Sequence, residues 1–349
     1  MNNKWLKRIC VLLLGVLSIS LISGCSDDRP TINIYNWGDY IDPEVLDMFE
    51  EEYNVRVVYD TFATNEDLYV KIKQGGSSYD VIFPSDYMIE RMIREDLIQK
   101  IDTKKITNIN NVDERFMNLD YDPDNQYSVP YMWGTVGIIY NKNLVNRPLT
   151  KWADLWDEEF SGEIIMLNSQ RDTLTVALKK LHYSMNTRNI NELEEAKNEL
   201  IKQRPLVYAY QGDEIKDSII SEEAAIGVVW SGDAVAMMRE NPNLVYVLPE
   251  EGTNLWFDAM VIPKDAQNVE LAHEFINFML RPEIAAMNAE YIGYSSPIPK
   301  AIELLSDELK NNKVAYPDFS ELENTEIFKD PTDLLKEYDR IWTEIFSSM

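Results

Sequence analysis

The chain has 349 residues, 45% of them hydrophobic, and its 60 acidic and 33 basic residues give a formal net charge of −27. This charge disfavours nucleic acid as a partner, because the phosphate backbone is itself negative. A negative charge of this size either keeps the protein soluble at a crowded surface or helps it to capture cations. Physiological salt limits the range of that attraction to about 8 Å.

Residues 1–24 are predicted to be a secretory signal peptide. A short basic stretch precedes a mostly apolar run, which is too short to span a bilayer comfortably and ends in the lipobox Leu21 to Cys25. We expect cleavage before Cys25, lipid attachment at this cysteine and a tether over residues 25–30. The mature protein would be extracytoplasmic and anchored to the cell membrane, in the periplasmic space where an outer membrane is present. The alternative is an N-terminal anchor that is never cleaved.

Cysteine usage agrees with export. Cys10 lies inside the discarded segment, so only Cys25 would remain. The mature chain can therefore form no internal disulfide and no thiolate metal site. We expect an ordinary core divided between two lobes, with no metal and no cofactor.

Strands and helices are predicted to alternate, which is typical of an α/β fold with mainly parallel pairing. Asp42-Pro43 supplies an N-cap and a first-turn proline, and Thr64 opens a helix that Gly75-Gly76 ends. The predicted strands are 31–36, 55–59, 80–84, 136–141, 163–167, 224–230, 244–248 and 255–263, and the predicted helices begin near residues 42, 64, 86, 173, 191, 269 and 332.

Two apolar strands are candidates for crossings between the lobes. Val136 to Asn141 follows the Gly134-Thr135 break, and Leu255 to Pro263 would return the chain. The next helix is predicted to end at Arg281-Pro282. The tail from Thr332 carries its apolar residues on one helical face, which favours packing over a partner surface.

Hydrolytic chemistry finds little support in the sequence. The two histidines, His182 and His273, show no His-x-x-x-His spacing, and no Gly-x-Ser-x-Gly motif occurs. The chain is therefore predicted not to be an enzyme. A glycosidase built on two carboxylates stays open, because 60 acidic residues make an accidental pair easy.

Aromatic residues beside carboxylates follow several predicted strands, in the segments Tyr35 to Tyr40, Pro84 to Tyr87 and Trp230 to Asp233, and another such segment, Trp256 to Asp258, comes later in the chain. Ligands of α/β folds bind at the carboxyl ends of strands, so two lobes could bring these groups together across a cleft. Ring faces cover methylenes and attract ammonium groups by about 0.5 to 2 kcal/mol each, and carboxylates accept their hydrogen bonds. The pattern suits a linear aliphatic polyamine, although such aromatics also fill cores.

Five segments carry a resemblance: Tyr35-Asn36-Trp37-Gly38-Asp39-Tyr40, Tyr79-Asp80-Val81-Ile82-Phe83-Pro84-Ser85-Asp86-Tyr87, Trp133-Gly134-Thr135-Val136-Gly137, Asn254-Leu255-Trp256-Phe257-Asp258 and Tyr291-Ile292-Gly293-Tyr294. In these segments the chain resembles the spermidine/putrescine-binding lipoproteins that serve polyamine ABC importers. The resemblance implies a two-lobed periplasmic-binding-protein fold of type II, with a ligand cleft between lobes joined by two crossover strands. Lobe 1 would comprise residues 31–137 and 257–305, and lobe 2 residues 138–256 and 306–349.

The resemblance also implies the ligand-binding residues. Asp258 matches the carboxylate that binds an amine in both spermidine and putrescine members, and Asp172 matches an acid for a terminal amine. Ser85 matches a polar contact, while Asp39 and Asp233 resemble acids of putrescine-type proteins. The aromatic positions are Trp37, Tyr40, Tyr87, Trp230, Trp256 and Tyr294.

Departures from the family pattern leave the choice of ligand open. Ser169 stands where the spermidine pattern has a second acid, Phe328 is placed at a glutamine position, and Gly38 replaces a hydroxyl residue. Spermidine and putrescine are both retained as ligands, with delivery to ABC permease subunits. A binding protein for another solute, such as ferric iron or a sugar, is disfavoured by the tryptophans and aspartates.

Overall fold

A computed structural model of the protein describes residues 28–75, 78–322 and 324–347. The predicted signal peptide at 1–24, the lipid-attachment site Cys25 and the tether up to residue 27 lie outside the described residues. Within the described ranges, no helix is both long and apolar enough to cross a bilayer. The same ranges contain no cluster of three or more histidine, cysteine or acidic side chains that could hold a metal ion.

Strands and helices alternate along most of the described chain. The strands are β1 (Thr31–Trp37), β2 (Arg56–Phe62), β3 (Val81–Ile82), β4 (Ser128–Asn141), β5 (Ile164–Leu167), β6 (Val207–Gln211), β7 (Ile226–Trp230), β8 (Leu244–Val247) and β9 (Leu255–Val261). The α-helices are α1 (Pro43–Tyr53), α2 (Asn65–Gln74), α3 (Asp86–Arg94), α4 (Gln170–Lys180), α5 (Ile190–Gln203), α6 (Ile215–Ile220), α7 (Ser231–Glu240), α8 (Val269–Met279), α9 (Pro282–Ile292), α10 (Pro299–Leu304), α11 (Asp307–Lys310) and α12 (Leu335–Ser347).

Polar residues fix where the first two helices begin. The Asp42 side chain accepts a hydrogen bond from the backbone N–H of Glu44, and α1 starts at Pro43, which has no N–H to satisfy. Thr64 caps α2 by accepting from the N–H of Asp67. Both predicted helix starts are confirmed.

Several elements depart from the prediction. The helix predicted to end at Arg281-Pro282 does end there, since α8 stops at Met279, but Pro282 also begins a further helix, α9, because its fixed φ suits a first helical turn. β4 covers Ser128–Asn141 rather than 136–141, since its first half pairs with β9. Six of the described strands and α-helices have no counterpart among the predicted ones: β6, α6, α7, α9, α10 and α11.

The strands form a curled sheet in the order β2-β1-β3-β9-β4-β7-β5-β6, with β8 also paired to β4. β4 changes partners along its length: residues 128–135 pair with β9, and residues 136–141 pair with β7 and β8. β4 therefore passes from one group of strands to the other, and β9 runs antiparallel beside its first half.

The expectation of mainly parallel pairing is wrong. β1-β2, β1-β3, β5-β6 and β5-β7 are parallel, whereas β3-β9, β4-β7, β4-β8 and β4-β9 are antiparallel. Each antiparallel pairing involves β4 or β9, the two strands at the junction between the β1-β2-β3 group and the β5-β6-β7 group. The α/β class itself is confirmed.

The C-terminal helix α12 packs on the protein through one face. Tyr338, Ile341 and Ile345 are buried in a cluster that includes Leu174 of α4 and Leu200 of α5. Full burial of such a side chain contributes about 1.5 to 3 kcal/mol. The predicted packing role is confirmed, and it supports α4, the helix whose first turn carries Asp172.

Candidate ligand-binding site

The candidate site lies where the turns after β1, β3 and β7 approach β9. β3 pairs with both β1 and β9, and an isolated bridge joins Ser85 to Asp258, so the start of α3 lies beside the β9 carboxylate. β7 pairs with the second half of β4, which places Trp230 opposite Val136. The carboxyl ends of three strands therefore converge on one region, where ligands of α/β folds bind.

Asp258 connects these turns. Its Oδ2 accepts a 2.8 Å hydrogen bond from the phenol of Tyr40, and the side chain of Ser85 also hydrogen-bonds to the carboxylate. Burial raises the pKa of Asp258 to about 6, while the bonds from Ser85 and Tyr40 oppose the rise. The residue is 6% exposed, and its Oδ1 has no hydrogen-bond partner among the described residues.

The turn after β3 is held by a residue that lies outside the predicted site. Asn65 donates from Nδ2 to the Ser85 hydroxyl over 3.0 Å and accepts the Ser85 backbone N–H over 3.1 Å. These bonds orient the hydroxyl that faces Asp258. Nothing in the sequence marks Asn65, because it belongs to the first turn of α2, a different segment.

Asp86 is a second supporting residue that the prediction did not assign to the site. It is buried and accepts hydrogen bonds from the backbone N–H groups of Tyr87 (2.6 Å) and Phe257 (3.1 Å). Burial raises the pKa of Asp86 to about 8, and the nearby charge of Asp258 adds to the rise. Asp86 fixes the β9 backbone next to Asp258. Its position directly after Ser85 was a signal that could have identified it.

Aromatic rings form a wall beside Asp258. Tyr294 meets Tyr40 edge to face at 5.7 Å and Trp256 at 5.0 Å between ring centroids. Two glycines permit this packing: a Cβ at Gly134 would lie 2.4 Å from the Trp256 ring, and one at Gly232 would lie 2.1 Å from the Tyr294 ring. Trp256 is 7% exposed, and its Nε1 has no hydrogen-bond partner within the described part of the chain.

Asp233 lies on the first turn of α7, next to the Tyr294 ring of this wall. It hydrogen-bonds to Tyr294, and the Nζ of Lys216 lies 3.5 Å from its Oδ1. Burial raises the pKa of Asp233 to about 6, although the positive charge of Lys216 lowers it. Asp233 thus differs from Asp258, because a cation of the chain itself already faces it.

Asp172 provides a further buried carboxylate, on the first turn of α4. Ser169 donates from its hydroxyl to Oδ2 over 2.7 Å, and Asn254 hydrogen-bonds to the same side chain. Burial raises the pKa of Asp172, and these bonds together with the charge of Arg171 oppose the rise. Asp172 is 7% exposed, and its Oδ1 has no partner among the residues that the structure describes.

Tyr87 lies near Asp172, whose charge acts on the Tyr87 phenol. Its ring meets that of Phe328 edge to face at 6.1 Å, and the guanidinium of Arg171 lies 4.0 Å from the Phe328 ring centroid. The Tyr87 hydroxyl donates to Glu66 over 3.2 Å. Tyr87 and Phe328 therefore form a second group of aromatic rings, separate from the wall beside Asp258.

Three predicted residues have other surroundings: Trp37 and Trp230 end β1 and β7, and Asp39 lies in the turn after β1. The indole N–H of Trp37 donates to the carbonyl of Phe83 over 2.9 Å. Asp39 is exposed with a φ of 48°, and Trp230 is half-buried as the N-cap residue of α7.

The structure brings the predicted residues together in two clusters. The first comprises Tyr40, Ser85, Asp258, Tyr294, Trp256 and Asp233, and the second comprises Asp172 and Tyr87. The ligand-binding role of all these residues stays a prediction.

Two open cavities lie outside this region. One of about 410 Å³ is lined in part by Tyr246 and Lys313, and another of about 600 Å³ in part by Lys151 and His182. No predicted site residue lines either of them. The candidate site is therefore defined by its chemistry and contacts rather than by open volume.

Comparisons with known proteins show the family of the chain. The chain matches the family of bacterial extracellular solute-binding proteins over residues 76–325, and a family of hypothetical lipoproteins (MG045 family) over residues 3–120. The spermidine/putrescine-binding periplasmic protein of Escherichia coli (strain K12) is 38% identical over 326 residues, which cover 93% of each chain. The putrescine-binding periplasmic protein SpuD of Pseudomonas aeruginosa (strain UCBPP-PA14) is 33% identical, with 98% of this chain and 99% of the relative covered.

Solved structures of substrate-binding proteins are also similar to this chain. The spermidine/putrescine ABC transporter substrate-binding protein PotD from Streptococcus pneumoniae superposes with a TM-score of 0.82 at 44% identity, covering 91% of this chain and 99% of that chain. The Tp0655 (TpPotD) lipoprotein of Treponema pallidum superposes with a TM-score of 0.83 at 29% identity, covering 90% and 99%.

These matches confirm the predicted two-lobed periplasmic-binding-protein fold and the family resemblance. The matched proteins bind and transport solutes and are not enzymes, so the glycosidase alternative is set aside. The chain belongs to the bacterial extracellular solute-binding protein family.

Proposed function

We propose that this protein binds a polyamine, putrescine or spermidine, between its lobes and delivers it to the permease of an ABC importer. One observation carries the proposal: Asp258 and Asp172 are both buried, and each keeps one carboxylate oxygen without a hydrogen-bond partner in the described ranges. A buried carboxylate is stable as an anion only when a cation or several donors face it. Two such carboxylates suit a ligand with at least two ammonium groups.

The rings beside these carboxylates suit the aliphatic part of the same ligand. Trp256 and Tyr294 are in contact beside Asp258, and Tyr87 and Phe328 are in contact near the other carboxylate. Ring faces attract an ammonium group by about 0.5 to 2 kcal/mol and cover methylenes without requiring polar partners. A neutral solute would leave both carboxylates unpaired.

The names of the relatives support the same ligand class. Relatives at 36% and 38% identity are named spermidine/putrescine-binding proteins, and SpuD, at 33%, is named a putrescine-binding protein. Putrescine and spermidine are therefore the two ligands to test.

We propose that lobe 1 comprises residues 31–137 and 257–305, and lobe 2 residues 138–256 and 306–349. The change of strand partners after residue 135 of β4 and the packing of α12 on α4 support this division. Closing the cleft without ligand would bury unpaired carboxylates at a cost of several kcal/mol, whereas a polyamine neutralises them. Closure then signals occupancy to the permease.

We propose that cleavage before Cys25 leaves this residue lipidated and the protein anchored outside the cytoplasm. The lipobox supports this, as does the match of residues 3–120 to a lipoprotein family. Metabolic labelling with an alkyne fatty acid tests the anchor. We expect label on the wild type and none on Cys25→Ala; equal labelling of both would contradict the assignment.

Thermal melting with two polyamines and one uncharged control tests the polyamine proposal. Putrescine, spermidine and the uncharged isostere butane-1,4-diol are each titrated against the purified protein. A ligand at one hundred times its dissociation constant adds roughly 2.7 kcal/mol of stability, so a binding amine raises the melting temperature clearly. We expect a rise with at least one amine and none with the diol. Stabilisation by the diol, or by no amine, would refute the proposal.

A further inference from the structure

Lys216 places a cation of the chain itself at the edge of the proposed polyamine site. It lies on the short helix α6, and its Nζ is 3.5 Å from Oδ1 of Asp233 on α7. The Lys216 side chain is 33% exposed and that of Asp233 12% exposed, so water screens the pair only in part.

The charges of acidic residues from several segments act on this ammonium group. Burial lowers the pKa of Lys216, but the charges of Asp233, Asp213 and Asp39 outweigh it, so the pKa is raised above its ordinary value. Asp39 comes from the turn after β1, whereas Asp213 precedes α6. The ammonium group is therefore charged at neutral pH and lies beside Asp233, which belongs to the turn after β7.

Lys216 is coupled to the aromatic wall through Asp233. Asp233 hydrogen-bonds to Tyr294, and the Tyr294 ring contacts both Trp256 and Tyr40. Three buried carboxylates of the site, Asp258, Asp172 and Asp233, are thus unequal. Asp258 and Asp172 keep an oxygen without a partner in the described part of the chain, whereas a lysine already faces Asp233.

We infer that Lys216 is a specificity-determining residue: its ammonium group stands at Asp233 in place of a ligand ammonium and biases the site towards the shorter, less charged polyamine. The inference rests on the proposed function, because it concerns the same site. A diamine needs two carboxylates, which Asp258 and Asp172 supply. The third ammonium of a triamine would compete with Lys216 for Asp233 and meet its positive charge.

Calorimetric titration of putrescine and spermidine into four proteins tests this inference. Lys216→Met keeps an unbranched side chain that is one atom shorter and removes its charge. We expect this variant to bind spermidine about tenfold more tightly, while putrescine affinity changes less than about threefold. Lys216→Arg keeps the charge and should retain the wild-type ratio of the two affinities. In the double variant Lys216→Met/Asp233→Asn the gain for spermidine should disappear, since the carboxylate is gone.

The outcomes separate this inference from the proposed function. If the wild type binds a polyamine but Lys216→Met changes both affinities equally, or weakens spermidine binding, the role of Lys216 is refuted and the proposed function stands. If neither amine binds to the wild type or to any variant, the proposed function itself fails.

Discussion

The phenol of Tyr40 donates a 2.8 Å hydrogen bond to Oδ2 of Asp258, although 218 residues separate the two in the chain. The turn after β1 and strand β9 thus meet at one buried carboxylate. Because the bond occupies Oδ2, the other oxygen, Oδ1, is left for a cationic partner.

Asp258→Asn should abolish most polyamine affinity. Removing one partner of a buried charge pair costs roughly 2 to 5 kcal/mol, so we expect a loss of about a hundredfold or more for putrescine and spermidine in calorimetric titration. Asp47→Asn, which removes the same charge from an exposed position on α1, is the matched control and should bind as the wild type does. Unchanged affinity in Asp258→Asn would place the amine elsewhere.

Gly232→Ala should weaken binding by displacing Tyr294. The added Cβ would lie 2.1 Å from that ring, and such overpacking costs typically 1 to 3 kcal/mol. Gly38→Ala is the control, since its Cβ would have no atom within 4 Å. We expect about a tenfold loss of affinity in the first variant and less than a twofold change in the second. Equal affinities would argue that Tyr294 does not contact the ligand.

Polyamine affinity should fall as the pH drops below about 6. Burial raises the pKa of Asp258 to about 6, and only the ionised carboxylate pairs with an ammonium group. Each proton that binding must displace weakens affinity by up to about tenfold per pH unit below that value. Titrations at several pH values between 5 and 8 check this. A profile that is flat down to pH 5 would contradict it.

The same raised pKa affects the stability of the ligand-free protein. The carboxyl group holds its proton more tightly in the folded state, so it contributes stability below its ordinary pKa of 3.8, and this contribution is lost as the pH rises through about 6. Asp258→Asn carries no such charge and should therefore melt higher than the wild type at pH 7.5 but not at pH 4. A difference that is constant with pH would exclude this carboxylate as the cause.

Ser169→Asp should shift preference towards the triamine. The new carboxylate would lie beside Asp172 and could pair with a further ammonium, while an aspartate still caps α4 as Ser169 does. We expect the ratio of spermidine to putrescine affinity to rise about fivefold, and Ser169→Asn, which caps without charge, to leave it unchanged. The same shift in both variants would show that charge is not the cause.

The sequence predicted well what depends on neighbouring residues. Asp42 and Thr64 identify helix starts because capping uses N–H groups two or three residues away. The clustered aromatics and acids also led to the prediction of Tyr40, which follows β1, and of Asp258, which lies within β9 rather than after a strand. Their ligand-binding role stays a prediction.

What the sequence did not predict depends on contacts between distant segments. The antiparallel pairing of β4 and β9, the closeness of Gly232 to Tyr294 and the pair formed by Lys216 and Asp233 each join separate parts of the chain. The register of such contacts follows from tertiary packing, for which no short motif exists. The short helix α6, which carries Lys216, has no apolar period long enough to be recognised.

A crystal structure of the protein with bound polyamine tests the central claim most directly. The account predicts an ammonium nitrogen within about 2.7 to 3.1 Å of Asp258 Oδ1 and a second one near Asp172, with methylenes against Trp256 and Tyr294. Electron density for the polyamine away from both carboxylates, or an uncharged molecule held between them, would contradict it.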